Sequence, residues 1–196
     1  MPAIKGRPRE FNAEKALDRA LQVFWKKGFE GASLPDLTKA MGINRPSLYA
    51  AFGNKEELFR KALDRYAERS MAHMREALNE PTVRAVVERF LKGAAEMQTD
   101  PKHPGCLAVH GALVCGETSE PIRQELILRR DASELALRKR FEQAKSKGDL
   151  PPDADPADLA RYIATIVQGM AVRAAGGASQ AELKKVIDLA MRAWPS

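Results

Sequence analysis

Cysteine is scarce in this sequence, since only Cys106 and Cys115 occur among 196 residues. Two cysteines are too few for a disulfide framework, so we expect the chain to fold in a reducing compartment. Long apolar runs are also missing, and the opening residues Met1, Pro2 and Ala3 do not begin an apolar signal segment. These absences predict a soluble protein of the cytoplasm.

Catalytic motifs are absent as well. The sequence has no glycine-rich phosphate loop, no nucleophile elbow and no metal-hydrolase motif, and it contains only three histidines. We therefore predict that the protein is not an enzyme and that it uses no cofactor.

Positive charge is concentrated in the first third of the chain. The net charge is +6 over the whole sequence. Residues 1–70 contain 14 Lys and Arg against 9 Asp and Glu, whereas the remaining residues contain 18 against 17. Phosphate binding requires such a basic surface, and an ordinary solvated basic surface is the alternative.

Residues 33–55 encode two short helices separated by a glycine turn. Ser33 is a good N-cap for the first helix, and Gly42 ends it because glycine readily adopts the left-handed conformation of a sharp turn. The second helix begins after Asn44, which is again a capping residue. Its inward side chains are Leu48 and Phe52. This is the pattern of a helix-turn-helix, whose second helix lies in the DNA major groove.

The flanks of this segment extend the pattern. The features are the basic arm Gly6-Arg7-Pro8-Arg9, the FWKKGFEG stretch at 24–31, the turn Met41-Gly42-Ile43, Ser47-Leu48-Tyr49, Phe52, and the helix start Asn54-Lys55-Glu56. With these features the sequence resembles the TetR family of one-component transcriptional regulators.

The resemblance implies an all-α fold with two parts. An N-terminal three-helix helix-turn-helix domain is joined by a long helix to a C-terminal helical ligand-sensing and dimerisation domain. The first domain is expected at residues 1–54, with its recognition helix at about 45–51, and the second at residues 55–196. Asn12 is expected to cap the first helix. Periodicity predicts the later helices at 55–78, 82–97, 122–147, 158–175 and 179–194. The expected apolar face of the 122–147 helix is Leu126, Ala132, Leu135, Leu137 and Phe141.

The resemblance also implies how DNA is contacted. A tyrosine and a lysine hold phosphates, while the start of the recognition helix approaches base edges, and the basic arm adds phosphate or minor-groove contacts. Many family members have a large polar residue after the tyrosine, whereas this chain has Ala50 and Ala51. Ala50 could still meet a thymine methyl group. The predicted DNA-binding residues are Arg7, Arg9, Ser33, Arg45, Pro46, Ser47, Tyr49, Ala50 and Lys55.

Cys106 and His110 are four residues apart, on one face of a helix that should start near Cys106. Three interpretations stay open for this segment. The cysteines are small buried residues of a packed helix. Alternatively, Cys106 is a thiol sensor whose reactive thiolate is favoured by His110 or a nearby arginine, and a similar Gly-Cys-Leu sequence occurs in TetR-family members that sense electrophiles. In the third interpretation His103, Cys106, His110 and Cys115 bind a metal, but they form no dense ligand motif, so we assign no metal site.

The segment from residue 81 to residue 175 is expected to enclose a ligand pocket. Its candidate lining residues are Met97, Cys106, Leu107, His110, Phe141, Tyr162, Gln168 and Met170. The resemblance makes the last two helices one half of a four-helix dimer interface, and an intramolecular hairpin is the alternative. The candidate interface residues are Leu159, Ile163, Val167, Leu183, Val186, Ile187 and Met191.

The predicted function is sequence-specific regulation of transcription. We expect a homodimeric repressor that binds double-stranded operator DNA and is released by a small-molecule or thiol-reactive inducer. The alternatives are a helical adaptor that binds no DNA and, within the regulator interpretation, a metal-responsive sensor.

Overall fold

The computed structural model describes residues 11–109 and 120–195, and these residues form helices and loops without a strand. The described helices are α1 (Ala13–Gly31), α2 (Leu34–Met41), α3 (Arg45–Phe52), α4 (Lys55–Leu78), α5 (Val83–Gln98), α6 (Glu120–Ser146), α7 (Pro156–Ala175) and α8 (Gln180–Arg192). The predicted all-α fold is therefore confirmed. The predicted helix start near Cys106 is also present, because residues 107–109 are helical, while the rest of that segment lies outside the described residues.

Local capping chemistry starts the first helices where the sequence predicts. The side chain of Asn12 accepts a hydrogen bond from the backbone N–H of Lys15 at 2.9 Å, and that of Asn44 accepts from Ser47 at 2.8 Å. At α2, Ser33 and Asp36 satisfy each other's backbone N–H groups in a capping box. Each such cap stabilises its helix by about 0.5–2 kcal/mol.

Asp36 makes the start of α2 sensitive to acid. The ion pair of its carboxylate with the Lys27 ammonium, at 2.8 Å, and the hydrogen bonds from Ser33 lower the pKa of Asp36 to about 2. Because an unfolded aspartate titrates near 3.8, this stabilisation is complete above about pH 4 and is lost as the pH falls toward 2. We expect an NMR titration of the Asp36 carboxylate to have its midpoint near 2. A midpoint near 3.8 would contradict the capping box, and Asp36→Asn should remove the pH dependence of α2 helicity between pH 4 and 2.

Two hydrophobic clusters organise the described residues. The N-terminal cluster contains the buried side chains of α1, α2, α3 and the first half of α4, together with Leu107, Ile122 and Leu126. The C-terminal cluster contains most buried side chains of α5, α7 and α8, together with Ala77, the second half of α6, Leu150 and Trp194. The long helix α4 takes part in both, since Leu58, Phe59, Ala62 and Leu63 lie in one cluster and Ala77 in the other.

The helix α6 also spans the two clusters, and this corrects its predicted apolar face. Its first turns bury Ile122 and Leu126, and its last turns bury Leu137 and Phe141. Between them Ala132 is exposed and Leu135 is 49% exposed, contrary to the prediction for both residues. The middle of α6 crosses from one core to the other, so no other element among the described residues covers Ala132 and Leu135.

The helices α4 and α5 cross closely at Gly93. A Cβ atom on residue 93 would overlap the imidazole ring of His73. The ring Nε2 lies 3.2 Å from the Phe90 carbonyl oxygen and donates to it, because a carbonyl can only accept. Glycine at this position therefore leaves room for the His73 ring between the two helices.

Among the residues that the structure describes, no helix combines the length and apolar character that crossing a membrane requires.

Candidate nucleic-acid interface

The turn between α2 and α3 has the geometry that the sequence predicts. Gly42 has a φ of 71°, in the left-handed region, and its backbone N–H donates to the Thr38 carbonyl at 3.0 Å. Leu48 is fully buried and Phe52 is 5% exposed, so α3 is anchored in the N-terminal cluster by its inner face. The outer face of α3 is left to the solvent.

An arginine and a tyrosine form the largest feature of this outer face. The guanidinium of Arg45 lies 5.8 Å from the centroid of the Tyr49 ring, and its Nη2 donates to the Tyr49 hydroxyl at 3.5 Å. Tyr49 is 43% exposed, and Arg45, Pro46 and Ala50 are exposed as well. Ser47 is half-buried. Since the Tyr49 oxygen accepts from Arg45, its own O–H can donate to an anion.

Ser33 and Lys55, two other predicted DNA contacts, make contacts within the chain. The Ser33 hydroxyl lies 2.6 Å from an Asp36 carboxylate oxygen, in the capping box of α2. The Lys55 ammonium donates to the Glu30 carbonyl at 3.3 Å and lies 4.6 Å from the centroid of the Phe29 ring. Desolvation lowers the pKa of Lys55. Lys55 thus neutralises the carbonyl end of α1 in this conformation.

Lys61 plays a similar part at the end of α3, which the sequence did not predict. Its ammonium donates to the carbonyls of Ala51 at 3.4 Å and Phe52 at 3.3 Å. A cation at this end of a helix interacts favourably with the exposed carbonyls and the helix dipole. Lys61 therefore ties the recognition helix α3 to α4. No local sequence signal reveals this contact, because it joins two helices.

The predicted basic-arm residues Arg7 and Arg9 lie outside the described residues.

The structure does not bring the described ligand candidates into one pocket. Leu107 belongs to the N-terminal cluster, whereas Phe141 and Met170 belong to the C-terminal cluster. Tyr162 is 41% exposed. The half-buried candidates are Met97, Cys106 and Gln168. His110 and Cys115 lie outside the described residues.

A buried polar residue that the prediction missed lies at the end of α5. Gln98 is 5% exposed and is the buried polar side chain of the described residues. Its Nε2 donates to the Val167 carbonyl at 3.1 Å, while its Oε1 is buried without a partner among the described residues. The sequence signal for Gln98 was a glutamine directly after an apolar helical stripe. An unpaired buried amide is unfavourable, so a glutamine in the interior is a residue to examine.

An open groove with a volume of about 870 Å³ lies between α4, α5 and α8. Charged residues line much of it, including Glu76, Glu88, Arg89, Lys92 and Lys184. None of the predicted ligand candidates is among its lining residues. Among the described residues, no group of three His, Cys, Asp or Glu could hold a metal ion.

Four of the predicted interface side chains lie inside the single chain. Each is at most 8% exposed: Ile163, Leu183, Ile187 and Met191. Leu159 and Val167 pack against the same core and are partly buried. Val186 is 41% exposed. Three further apolar or aromatic side chains of α7 and α8 are 41–59% exposed, namely Tyr162, Val172 and Leu189.

A helix-turn-helix whose second helix is buried on its inner face and exposed on its outer face is typical of DNA-binding regulators. Residues 16–62 match the family described as "Bacterial regulatory proteins, tetR family", and residues 80–190 match "Tetracyclin repressor-like, C-terminal domain". The chain belongs to the TetR family. Its members are DNA-binding regulators, which confirms the prediction that the chain is not an enzyme.

Named relatives extend along the whole chain. The HTH-type transcriptional repressor ComR of Escherichia coli (strain K12) is 35% identical over 194 residues, covering 97% of this chain and 92% of ComR. The repressor AcnR of Corynebacterium glutamicum is 28% identical over 177 residues, covering 90% of this chain and 88% of AcnR. A solved structure of the TetR family regulator CifR, a cysteine mutant complexed with 26-bp double-strand operator DNA, is 41% identical. That match has a TM-score of 0.91 and covers 97% of this chain and 100% of the CifR chain.

Proposed function

We propose that this protein is a homodimeric repressor that binds operator DNA through α3 and is released by an inducer sensed in residues 55–196. The observation that carries the DNA-binding part is the outer face of α3. Arg45 and Tyr49 contact each other there, exposed on a helix whose inner face is buried. Arginine matches the acceptors of a guanine edge, and a tyrosine hydroxyl donates to phosphate. We assign DNA contact to this face, with Pro46, Ser47 and Ala50 beside it.

A second copy of the chain supplies the second recognition helix that an operator with two half-sites requires. One recognition helix reads one half-site, and a two-fold pair reads two half-sites about one helical turn of DNA apart. The exposed side chains Tyr162, Val172, Val186 and Leu189 of α7 and α8 give a second copy an apolar surface to cover. We assign the dimer contact to these residues, because the buried members of the predicted set are used by the core of each chain.

The helix α4 transmits the inducer signal. It contains 24 residues and takes part in both hydrophobic clusters. A tilt of α4 changes the separation of the two recognition helices in a dimer. The inducer must bind the spacing that does not fit DNA more tightly than the spacing that does, because otherwise the equilibrium does not shift.

Selection of genomic fragments by the purified protein, followed by footprinting, tests the DNA-binding function. The expected result is a protected site with two related half-sites, and an affinity that falls steeply between about 50 and 200 mM salt as counterions are released. Recovery of no fragment, or binding that ignores salt, would overturn the proposal in favour of a helical adaptor.

A thiol-reactive inducer makes a separate prediction for Cys106, which is half-buried with a free thiol. Treatment with N-ethylmaleimide is expected to release the wild-type protein from its operator, since the added group cannot fit the space of a thiol. Cys106→Ser should bind the operator like wild type and remain bound after treatment, in a mobility-shift assay. Cys115→Ser is the matched control and should still be released. Release of Cys106→Ser by the reagent would exclude this thiol as the sensor.

A further inference from the structure

We propose that Trp25 and Gln98 couple the recognition unit, meaning α1 to α3 with the first half of α4, to α7 through a path of hydrogen bonds that does not run along α4. This inference rests on the proposed function, because it concerns how a change in the second unit, meaning α5, α7 and α8, reaches the recognition helix α3. The path begins at Trp25 in α1, passes through residues 104 and 105 to Gln98 in α5, and ends at Val167 in α7.

Trp25 forms the first contact. Its indole N–H donates to the Pro104 carbonyl at 3.0 Å, across 79 positions of sequence. The ring centroid lies 5.1 Å from that of His103 and 5.0 Å from that of Tyr66, with the ring planes at 70° and 69°. The indole therefore lies between the loop after α5 and the long helix α4. A displacement of residues 103–104 must displace Trp25 or break its hydrogen bond.

Gln98 forms the second and third contacts. Its backbone carbonyl accepts from the Gly105 N–H at 2.7 Å, and its side-chain Nε2 donates to the Val167 carbonyl at 3.1 Å. Gly105 has a φ of 87°, in the left-handed region that glycine adopts without a steric penalty. The Gln98 side chain is 5% exposed, and its Oε1 has no partner within the part of the chain that the structure describes. Such burial is unfavourable for stability alone. Transmission along the hydrogen-bond path gives the buried Gln98 side chain a function.

Contacts on both sides hold the loop against the recognition unit. Leu107 is 2% exposed and Ile122 is fully buried, and both belong to the N-terminal cluster. At the start of α6, Glu125 pairs with Arg60 at 2.7 Å, and Arg129 pairs with Asp64 at 2.6 Å. The loop is thus packed on α1 and α4 on one side and bonded on the other to Gln98 of α5, which is bonded in turn to α7. Movement of α7 relative to α5 is therefore transmitted to Trp25.

Hydrogen exchange with and without operator DNA tests the path, using the operator recovered by the genomic selection. Coupling between two sites is reciprocal, so DNA bound at α3 must stabilise the path from the other end. In the wild-type protein, operator binding is expected to slow amide exchange of residues 99–106 and of α7 around residue 167 by about fivefold or more.

Two variants locate the coupling. Trp25→Phe keeps an aromatic ring but removes the donor, so operator affinity should stay within about twofold while the change in exchange disappears from both segments. Gln98→Leu should keep the change at residues 99–106 and lose it in α7. Trp194→Phe is the matched control, because Trp194 packs on Phe141 in the C-terminal cluster, and it should behave like wild type.

The outcomes separate this inference from the proposed function. If the operator binds and exchange in residues 99–106 slows equally in Trp25→Phe and wild type, or in neither, the path is overturned while the repressor function stands. If Trp25→Phe does not fold, Gln98→Leu decides alone, since loss of protection at residues 99–106 and α7 together, or at neither, contradicts the order of the path. A protein that recovers no DNA overturns both proposals.

Discussion

Phe24→Ala is expected to lower the free energy of unfolding by about 3–5 kcal/mol, which is the range for removing a fully buried phenylalanine ring. Phe24 has no exposed surface. Its ring centroid lies 4.9 Å from that of Phe59, edge to face, and 6.5 Å from that of Phe29. The truncation removes the ring that joins α1 to α4 behind the helix-turn-helix. Since whole proteins are stable by only about 5–15 kcal/mol, the loss is a large share of the total.

Urea denaturation followed by circular dichroism measures this change. Phe141→Ala is the matched control, because Phe141 is equally buried but belongs to the C-terminal cluster. Under conditions in which both variants are folded, Phe24→Ala should bind the operator more weakly than Phe141→Ala. A loss below about 1 kcal/mol for Phe24→Ala would mean that α1 relaxes to fill the space, and would contradict a rigid aromatic core.

Arg45→Ala is expected to weaken operator binding by about 1–3 kcal/mol and to relax the base preference at one position of each half-site. The effect should be large for one side chain, because the following positions of α3 carry Ala50 and Ala51, which cannot donate hydrogen bonds to base edges. Arg45→Lys should lose most of the base preference but less of the affinity, since lysine keeps the charge without the planar pair of donors.

Mobility-shift titrations with the operator and with single-base variants of it measure both effects. Arg138→Ala is the control, because Arg138 is another exposed arginine, paired with Glu142 on α6 far along the chain from α3. If Arg45→Ala weakened binding to every sequence by the same factor, Arg45 would be a phosphate contact. The base preference would then have to come from DNA shape or from the basic arm.

The parts of the fold that depend on neighbouring residues were predictable from the sequence. Asn12, Ser33 and Asn44 cap helices because their side chains reach an N–H group two or three positions later, whatever the rest of the chain does. Gly42 likewise adopts its left-handed conformation for a local reason. The helix-turn-helix is therefore determined almost entirely within its own segment.

The parts that depend on distant residues were not predictable. An apolar stripe reveals that a helix buries one face, but not which element covers it. Leu107 and Ile122 were expected in the second domain, yet they pack with α1 and α4. Lys55 shows the same limit, since its ammonium contacts the end of α1 through a distance that the sequence does not encode.

The candidate interface illustrates why large apolar side chains are poor markers of a dimer contact. Ile163, Leu183 and Ile187 lie on the apolar faces of α7 and α8, and the core of the single chain buries all three. The side chains left for a partner, such as Val172 and Leu189, lie off those faces. A surface of this kind can be located only once the core has been assigned.

The two tryptophans of this sequence lie in different units of the molecule. Trp25 packs against the N-terminal cluster and bonds to the loop after α5, whereas Trp194 is 4% exposed within the C-terminal cluster. The protein therefore carries an intrinsic optical probe for each unit. With Trp25 replaced by phenylalanine, the emission of Trp194 follows the C-terminal cluster. With Trp194 replaced, the emission of Trp25 follows the N-terminal cluster and its contact with the loop after α5. Melting and DNA titrations of the unlabelled protein can therefore compare the two regions.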